Sequence, residues 1–140
     1  EFGILYDEVP LKDGRVDFDV AKEKITTKTK MVVIQRSCGY MMRPSLSVDE
    51  IGEICKFVKE INPNCICYVD NCYGEFTDTK EPIEVGADII AGSLIKNPGG
   101  GIAPTGGYIV GKAKYVEQAS YFLSHDFSWY GSRTWCFSCK

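Results

Sequence analysis

The chain has 140 residues, enough for one domain with a real core. Apolar residues make up 44% and charged residues 25%, and the net charge of -3 leaves no basic footprint for nucleic acid. No apolar run approaches the roughly 20 residues needed to span a bilayer, so no membrane partner is expected, and no export signal is visible. The chain opens Glu1-Phe2-Gly3 without methionine, which reads as a piece of something longer.

Residues 18 to 27 are polar, with Phe18, Ala21 and Ile25 on one face, a short helix pattern. Met31 to Gln35 is compact, apolar and β-branched, and predicts a buried strand. A loop punctuated by Gly39 and Pro44 follows. Ser47 and Glu50 then form a capping box, in which each side chain can satisfy an orphan backbone donor. Val48, Ile51, Ile54, Val58 and Ile61 follow at helical spacing, with Asp49, Glu53, Lys56 and Lys59 outside, until Asn62-Pro63-Asn64 stops the helix. Cys65 to Val69 predicts a second buried strand ending at Asp70, and Asp88 to Ala91 a third. A Gly-rich stretch from Asn97 to Gly107 precedes a fourth strand, Tyr108 to Val110, and a helix over Lys112 to Leu123. Helices alternating with apolar strands imply an α/β layer with a mostly parallel sheet. From Ser124 to Lys140 the periodicity fails, and this tail is expected to be loosely ordered.

Seven cysteines is an odd count, and their spacing is not that of a disulfide framework. Cys55, Cys65 and Cys67 read as small buried apolar residues, and the thiols as reduced and cytoplasmic. Cys136 and Cys139 have metal-ligand spacing, but only His125 and scattered cysteines could complete a site, so no metal is expected.

In open α/β sheets ligands lie beyond the carboxyl ends of the strands. Asp70 closes the second strand, Ser93 follows the third, Lys96 comes three residues later, and Gly99-Gly100-Gly101 follows at once. An acid, a hydroxyl, an amine and a Gly-rich turn on one edge suit a phosphorylated aldehyde cofactor. Lysine supplies the amine, aspartate keeps a pyridinium nitrogen protonated, serine donates to the phosphate, and glycines admit close backbone approach. Each residue also has a plainer reading: a turn aspartate, a solvated lysine, a serine bonded to local backbone, a loop of glycines. Spacing alone does not separate the two. Gly106 to Lys112 fits G-x-x-x-x-G-K by letter, but Ala113 stands where the magnesium hydroxyl belongs and the interior reads as strand, which excludes a nucleotide P-loop. A phosphoacceptor domain using Asp70 and Lys96 would need further acids after an earlier strand. Only Asp7-Glu8, after a possible strand at Gly3 to Tyr6, could supply them.

The segment Tyr68 to Phe76 (YVDNCYGEF), with Glu84 to Tyr108 around Lys96, strongly resembles the aluminium-resistance protein family, itself similar to methionine gamma-lyase and other Cys/Met-metabolism enzymes that use pyridoxal 5'-phosphate. Ile34 to Tyr40 and Arg43 to Leu46 resemble the same family's upstream segment, and the likeness runs to about Leu123. It implies residues 1–123 as the central segment of the large cofactor-binding domain of the aspartate-aminotransferase-like fold, fold type I. It further implies Lys96 as the Schiff-base lysine, Asp70 as the pyridinium partner and Ser93 as a phosphate contact. The implied reaction is carbon–sulfur elimination from a sulfur-containing amino acid, in a homodimer or homotetramer. A subunit of that fold needs roughly 400 residues, well beyond a single domain, so the 140-residue chain is expected to be inactive alone. Cys38 departs from the family pattern, standing where a basic residue is expected. The other class of reading is a non-catalytic α/β module that binds a phosphate or no ligand.

Overall fold

The structure, a computed structural model, describes residues 3–96, 103–126 and 135–136. Its elements are β1 (Leu11–Lys12), β2 (Arg15–Val16), α1 (Phe18–Lys24), β3 (Met31–Gln35), α2 (Val48–Ile61), β4 (Ile66–Asp70), a 3-10 turn (Pro82–Val85), β5 (Ile89–Ser93), β6 (Gly107–Gly111), α3 (Ala113–Asp126) and β7 (Trp135–Cys136). β1 and β2 form a small antiparallel hairpin, where the sequence had suggested nothing. The stretch Gly3 to Tyr6, considered above as a first strand, is irregular.

The main sheet has the order β3-β4-β5-β6-β7. β3, β4 and β5 run parallel, β6 is antiparallel to β5, and β7 is parallel to β6, so the sheet is mostly parallel as expected. β3 pairs with β4 from Met31 opposite Ile66 to Gln35 opposite Asp70, and β4 with β5 from Tyr68 opposite Ile89 to Asp70 opposite Ala91. This register brings the carboxyl ends of three strands to one edge.

α2 begins as its sequence dictates. Ser47 Oγ accepts from the Glu50 N–H, and Glu50 Oε2 accepts from the Ser47 N–H at 2.7 Å. Val48, Ile51, Ile54, Cys55 and Val58 are buried on its inner stripe. All of these but Val48 join Ala21, Ile34, Leu46, Cys65, Cys67, Val69 and Ile90 in one core. Cys55, Cys65 and Cys67 are free and buried. The second face of the sheet is barer. Met31 and Val33 alternate with buried Ile34 and are 46% and 59% exposed, so β3 is covered on one side only by the described residues. α3 lies near that second face, above an apolar groove of about 250 Å³ lined by Met31, Ile66, Ile89, Tyr115 and Ala119.

Two expectations change. Lys59, assigned to the outer face of α2, donates to Asp88 Oδ2 and the Cys65 carbonyl, both at 2.6 Å. The helix expected to stop at Leu123 runs on to Asp126. Gly99-Gly100-Gly101, Cys139 and most of the 124–140 tail lie outside the described residues.

Candidate active site

β4 delivers Asp70 to the carboxyl edge, and the chain turns there without losing its hydrogen bonds. The Asp70 carbonyl accepts from the Arg36 N–H at 3.0 Å, and the Asn71 N–H donates to the Ala91 carbonyl at 2.8 Å. Asp70 Oδ1 accepts from the Cys72 N–H at 3.0 Å, an Asx turn that points the next residues back over the edge. Tyr73 and Phe76 take positive φ, 69° and 57°, which is uncommon for such residues and tightens the loop. Gly74 between them is required by space, since a Cβ there would lie 2.5 Å from the Arg36 guanidinium.

Arg36 fills that space. It is 5% exposed and donates to Asn71 Oδ1 at 2.8 Å, to the Gly74 carbonyl at 2.9 Å and to Thr77 Oγ1 at 3.2 Å. Its charge faces Glu81 at 3.9 Å. A buried guanidinium needs this many acceptors, because unpaired burial of its charge would cost several kcal/mol. The network continues inward. Asn71 Nδ2 donates to Glu81 Oε2 at 3.0 Å and to Tyr108 Oη at 2.9 Å, and Tyr108 donates to Glu75 Oε1 at 3.2 Å. Burial, assisted by the Glu75 charge, raises the Tyr108 phenol well above its ordinary range.

Lys96 reaches the same edge from β5. Its Nζ lies 3.3 Å from Cys72 Sγ and 5.3 Å from the centre of the Tyr73 ring. Asp70 and Lys96 thus meet at one residue, Cys72, which takes the carboxylate on its N–H and the amine on its thiol. The Cys72 contact holds the Lys96 ammonium above the usual lysine range, with the charges of Cys72, Tyr73 and Asp70 adding to it. Burial raises the Cys72 thiol, Asp70 raises it further, and Lys96 opposes both. Ser93 closes β5, its Oγ 3.4 Å from the Ile95 N–H and its own N–H donating to Glu75 Oε1 at 2.9 Å. The three residues singled out in the sequence therefore share one edge. A cavity of about 100 Å³ lies next to Cys72, walled by Arg36, Ser37, Leu46, Cys72, Tyr73 and Thr77, and none of Asp70, Ser93 and Lys96 lines it.

Sequence reasoning missed Cys72, Asn71, Glu75 and Tyr108. The polar run after Asp70 read only as loop, and Tyr108 only as strand. The signal was a buried-type strand, Cys65 to Val69, followed at once by Asn71 and Glu75, polar residues with nowhere to go but under the sheet edge. Cys38, which breaks the family pattern, donates weakly to the Gly39 carbonyl at 3.6 Å and takes no part in the cluster. The P-loop-like letters fall in β6, as strand.

The sequence profile described as methionine gamma-lyase matches residues 1–126. Uncharacterized protein YnbB of Bacillus subtilis is 59% identical over 125 residues, covering 89% of this chain and 30% of that protein. L-methionine gamma-lyase of Treponema denticola is 27% identical over 120 residues, covering 86% of this chain and 28% of the enzyme. A solved structure from Listeria monocytogenes, named as a suspected cystathionine beta-lyase involved in aluminium resistance, superimposes with a TM-score of 0.81 at 57% identity. It shares 87% of this chain and 31% of its own. The chain thus spans about three tenths of the length of these relatives.

Proposed function

Because the chain belongs to the methionine gamma-lyase family, we propose that it is the cofactor-carrying segment of a pyridoxal-phosphate-dependent lyase that eliminates thiol from a sulfur-containing amino acid. The observation that supports this reading is the meeting of Asp70 and Lys96 at Cys72 on the carboxyl edge of a mostly parallel sheet. The donor set suits the group: one carboxylate, one hydroxyl and one amine within two adjacent strand ends.

Asp70 would hold the proton on the ring nitrogen, Ser93 would donate to the phosphate, and Lys96 Nζ would carry the cofactor. When bound, the cofactor supplies an electron sink that stabilises negative charge at the substrate's alpha carbon. Lys96 Nζ is the amine at that edge able to take a proton from such a carbon. Asp70 is fixed for its part by the Cys72 N–H, which donates to Oδ1. The Tyr73 ring and the Cys72 thiol hold the Lys96 side chain over the edge rather than out in water. The whole protein is proposed to assemble as a homodimer or homotetramer.

Borohydride trapping tests the assignment. The chain is incubated with pyridoxal 5'-phosphate, reduced and digested, and the adduct located by mass spectrometry. The expected adduct is on Lys96 and disappears in Lys96→Ala. Equal labelling of several surface lysines with none at Lys96 would favour the non-catalytic module instead.

A further inference from the structure

Glu75 is not one of the residues to which the lyase reading gives a chemical task, yet it is among the most constrained side chains in the molecule. It is 3% exposed, a degree of burial rare for a carboxylate. Its Oε1 accepts twice, from the Ser93 N–H at 2.9 Å and from Tyr108 Oη at 3.2 Å. Its Oε2 is buried and has no hydrogen-bond partner among the described residues. The backbone makes room for it: a Cβ on Gly92 would collide with Glu75 Oε1 and with Tyr108 Oη. A buried carboxylate is costly unless it is hydrogen-bonded, and the two bonds made by Oε1 point to what this one does.

That task is positional. Ser93 is the last residue of β5 and pairs with Gly107 of the antiparallel neighbour β6, where the ladder ends. Its N–H is held by Glu75 from the loop that follows β4, so the carboxylate ties the Asp70 loop to the start of the turn that carries Lys96. Tyr108 of β6 braces the same oxygen from the other side, and its phenol is held in turn by accepting from Asn71 at 2.9 Å. We infer that Glu75 is the positioning residue for the Ser93–Lys96 turn, clamped by Tyr108 and admitted by the missing side chain of Gly92. It would fix where the amine stands relative to Asp70 without touching cofactor or substrate. The inference rests on the lyase reading for its purpose, but its geometry can be tested without any cofactor.

The experiment uses the 140-residue chain and reads two things: amide exchange at Ser93 to Lys96, and the yield of borohydride-trapped pyridoxal phosphate at Lys96. Glu75→Ala should speed exchange of the Ser93 amide at least tenfold while the α2 amides stay protected, and should cut Lys96 labelling severalfold. Glu75→Gln keeps an acceptor oxygen and should restore both. Gly92→Ala, which leaves Glu75 in place but takes its space, should reproduce the alanine effect, and serves if Glu75→Ala fails to fold. Unchanged Ser93 exchange in Glu75→Ala and Gly92→Ala, or Gln behaving as Ala does, overturns the inference. If the unmodified chain takes no label at Lys96, the lyase reading fails and the exchange data alone decide the role of Glu75.

Discussion

At the scale of single residues, the least expected feature is the state of Lys96. A lysine that must attack an aldehyde needs its neutral form, usually won by burial or a neighbouring cation. Here the neighbours are a thiol, a phenol ring and a carboxylate, and they favour the ammonium. Because the folded value is raised, the neutral fraction at pH 7 to 9 is smaller than for a free lysine, and it grows about tenfold per pH unit. Capture of pyridoxal phosphate by Lys96 is therefore expected to be slow at pH 7 and to climb steeply towards pH 9. Cys72→Ala removes the leading cause of the shift and should speed capture at any pH in that window. Stopped-flow absorbance of the forming adduct checks both, and a rate independent of pH or slowed by Cys72→Ala would contradict the account. That Asp70, Ser93 and Lys96 come to one edge was legible in the sequence because strand ends can be counted. Cys72 and Glu75 were not, because their roles depend on a loop whose path is set by positive φ at Tyr73 and Phe76 and by the buried Arg36.

At the scale of elements, α2 and the parallel order of β3, β4 and β5 follow from pattern: a capping box, a 3.6-residue stripe and three apolar runs. What pattern did not reveal is the tie at the opposite edge of the sheet. Asp88 is 1% exposed and accepts from Lys59 of α2 at 2.6 Å and from the Cys67 N–H of β4 at 2.8 Å, while Lys112, just before α3, pairs with Oδ1 at 2.6 Å. Three elements are joined through one carboxylate, and Lys59 leaves the solvent face to reach it. Burial works to raise the Asp88 pKa, but the two lysines and the Cys67 N–H outweigh it and hold the carboxyl below its ordinary 3.8. A depressed carboxyl stabilises the fold fully above that ordinary value, and the contribution is lost as pH falls through the lower folded one. Asp88→Asn should therefore cost about 3 kcal/mol at pH 7, the lower end for breaking a buried pair, because Lys59 can turn to water. Urea unfolding at pH 7 and again near pH 3 measures it. The gap between variant and parent should narrow in acid, and a gap that stays constant would show that the ion pairs are not its source. The expectation that β3 is buried on both sides fails for a related reason: pattern identifies an apolar strand but not which of its faces finds cover within these residues.

At the scale of the whole molecule, the described residues build one edge of a site and one face of a core. Parallel sheets are ordinarily covered on both faces. Here Met31 and Val33 stand exposed, an apolar groove runs beside Tyr115, and Ile4, Leu5, Tyr6, Tyr40 and Met42 are bare as well. Apolar surface of this extent among the described residues is expected to serve as a contact surface. The cavity beside Cys72 points the same way. At about 100 Å³ it is well below the roughly 300 Å³ at which small-molecule pockets begin, and none of Asp70, Ser93 and Lys96 lines it, so the described residues do not enclose a ring, a phosphate and an amino acid there. Catalysis needs those groups held in a productive geometry, and loose anchoring forfeits most of the rate. The chain spans about three tenths of its relatives, and the rest of such a protein would have to supply the missing walls. The 140-residue chain is accordingly expected to release no thiol from methionine, cysteine or cystathionine, even with excess pyridoxal phosphate, and to associate with itself as its concentration rises. Keto-acid and thiol assays test the first expectation, and light scattering across a concentration series tests the second. Turnover by this chain that Lys96→Ala abolishes would mean that the strand-end edge is a complete site and that the exposed face has no part in forming it. A monodisperse monomer with no turnover would separate the two arguments: the cavity would still be too small, but the bare face would not be an adhesive one.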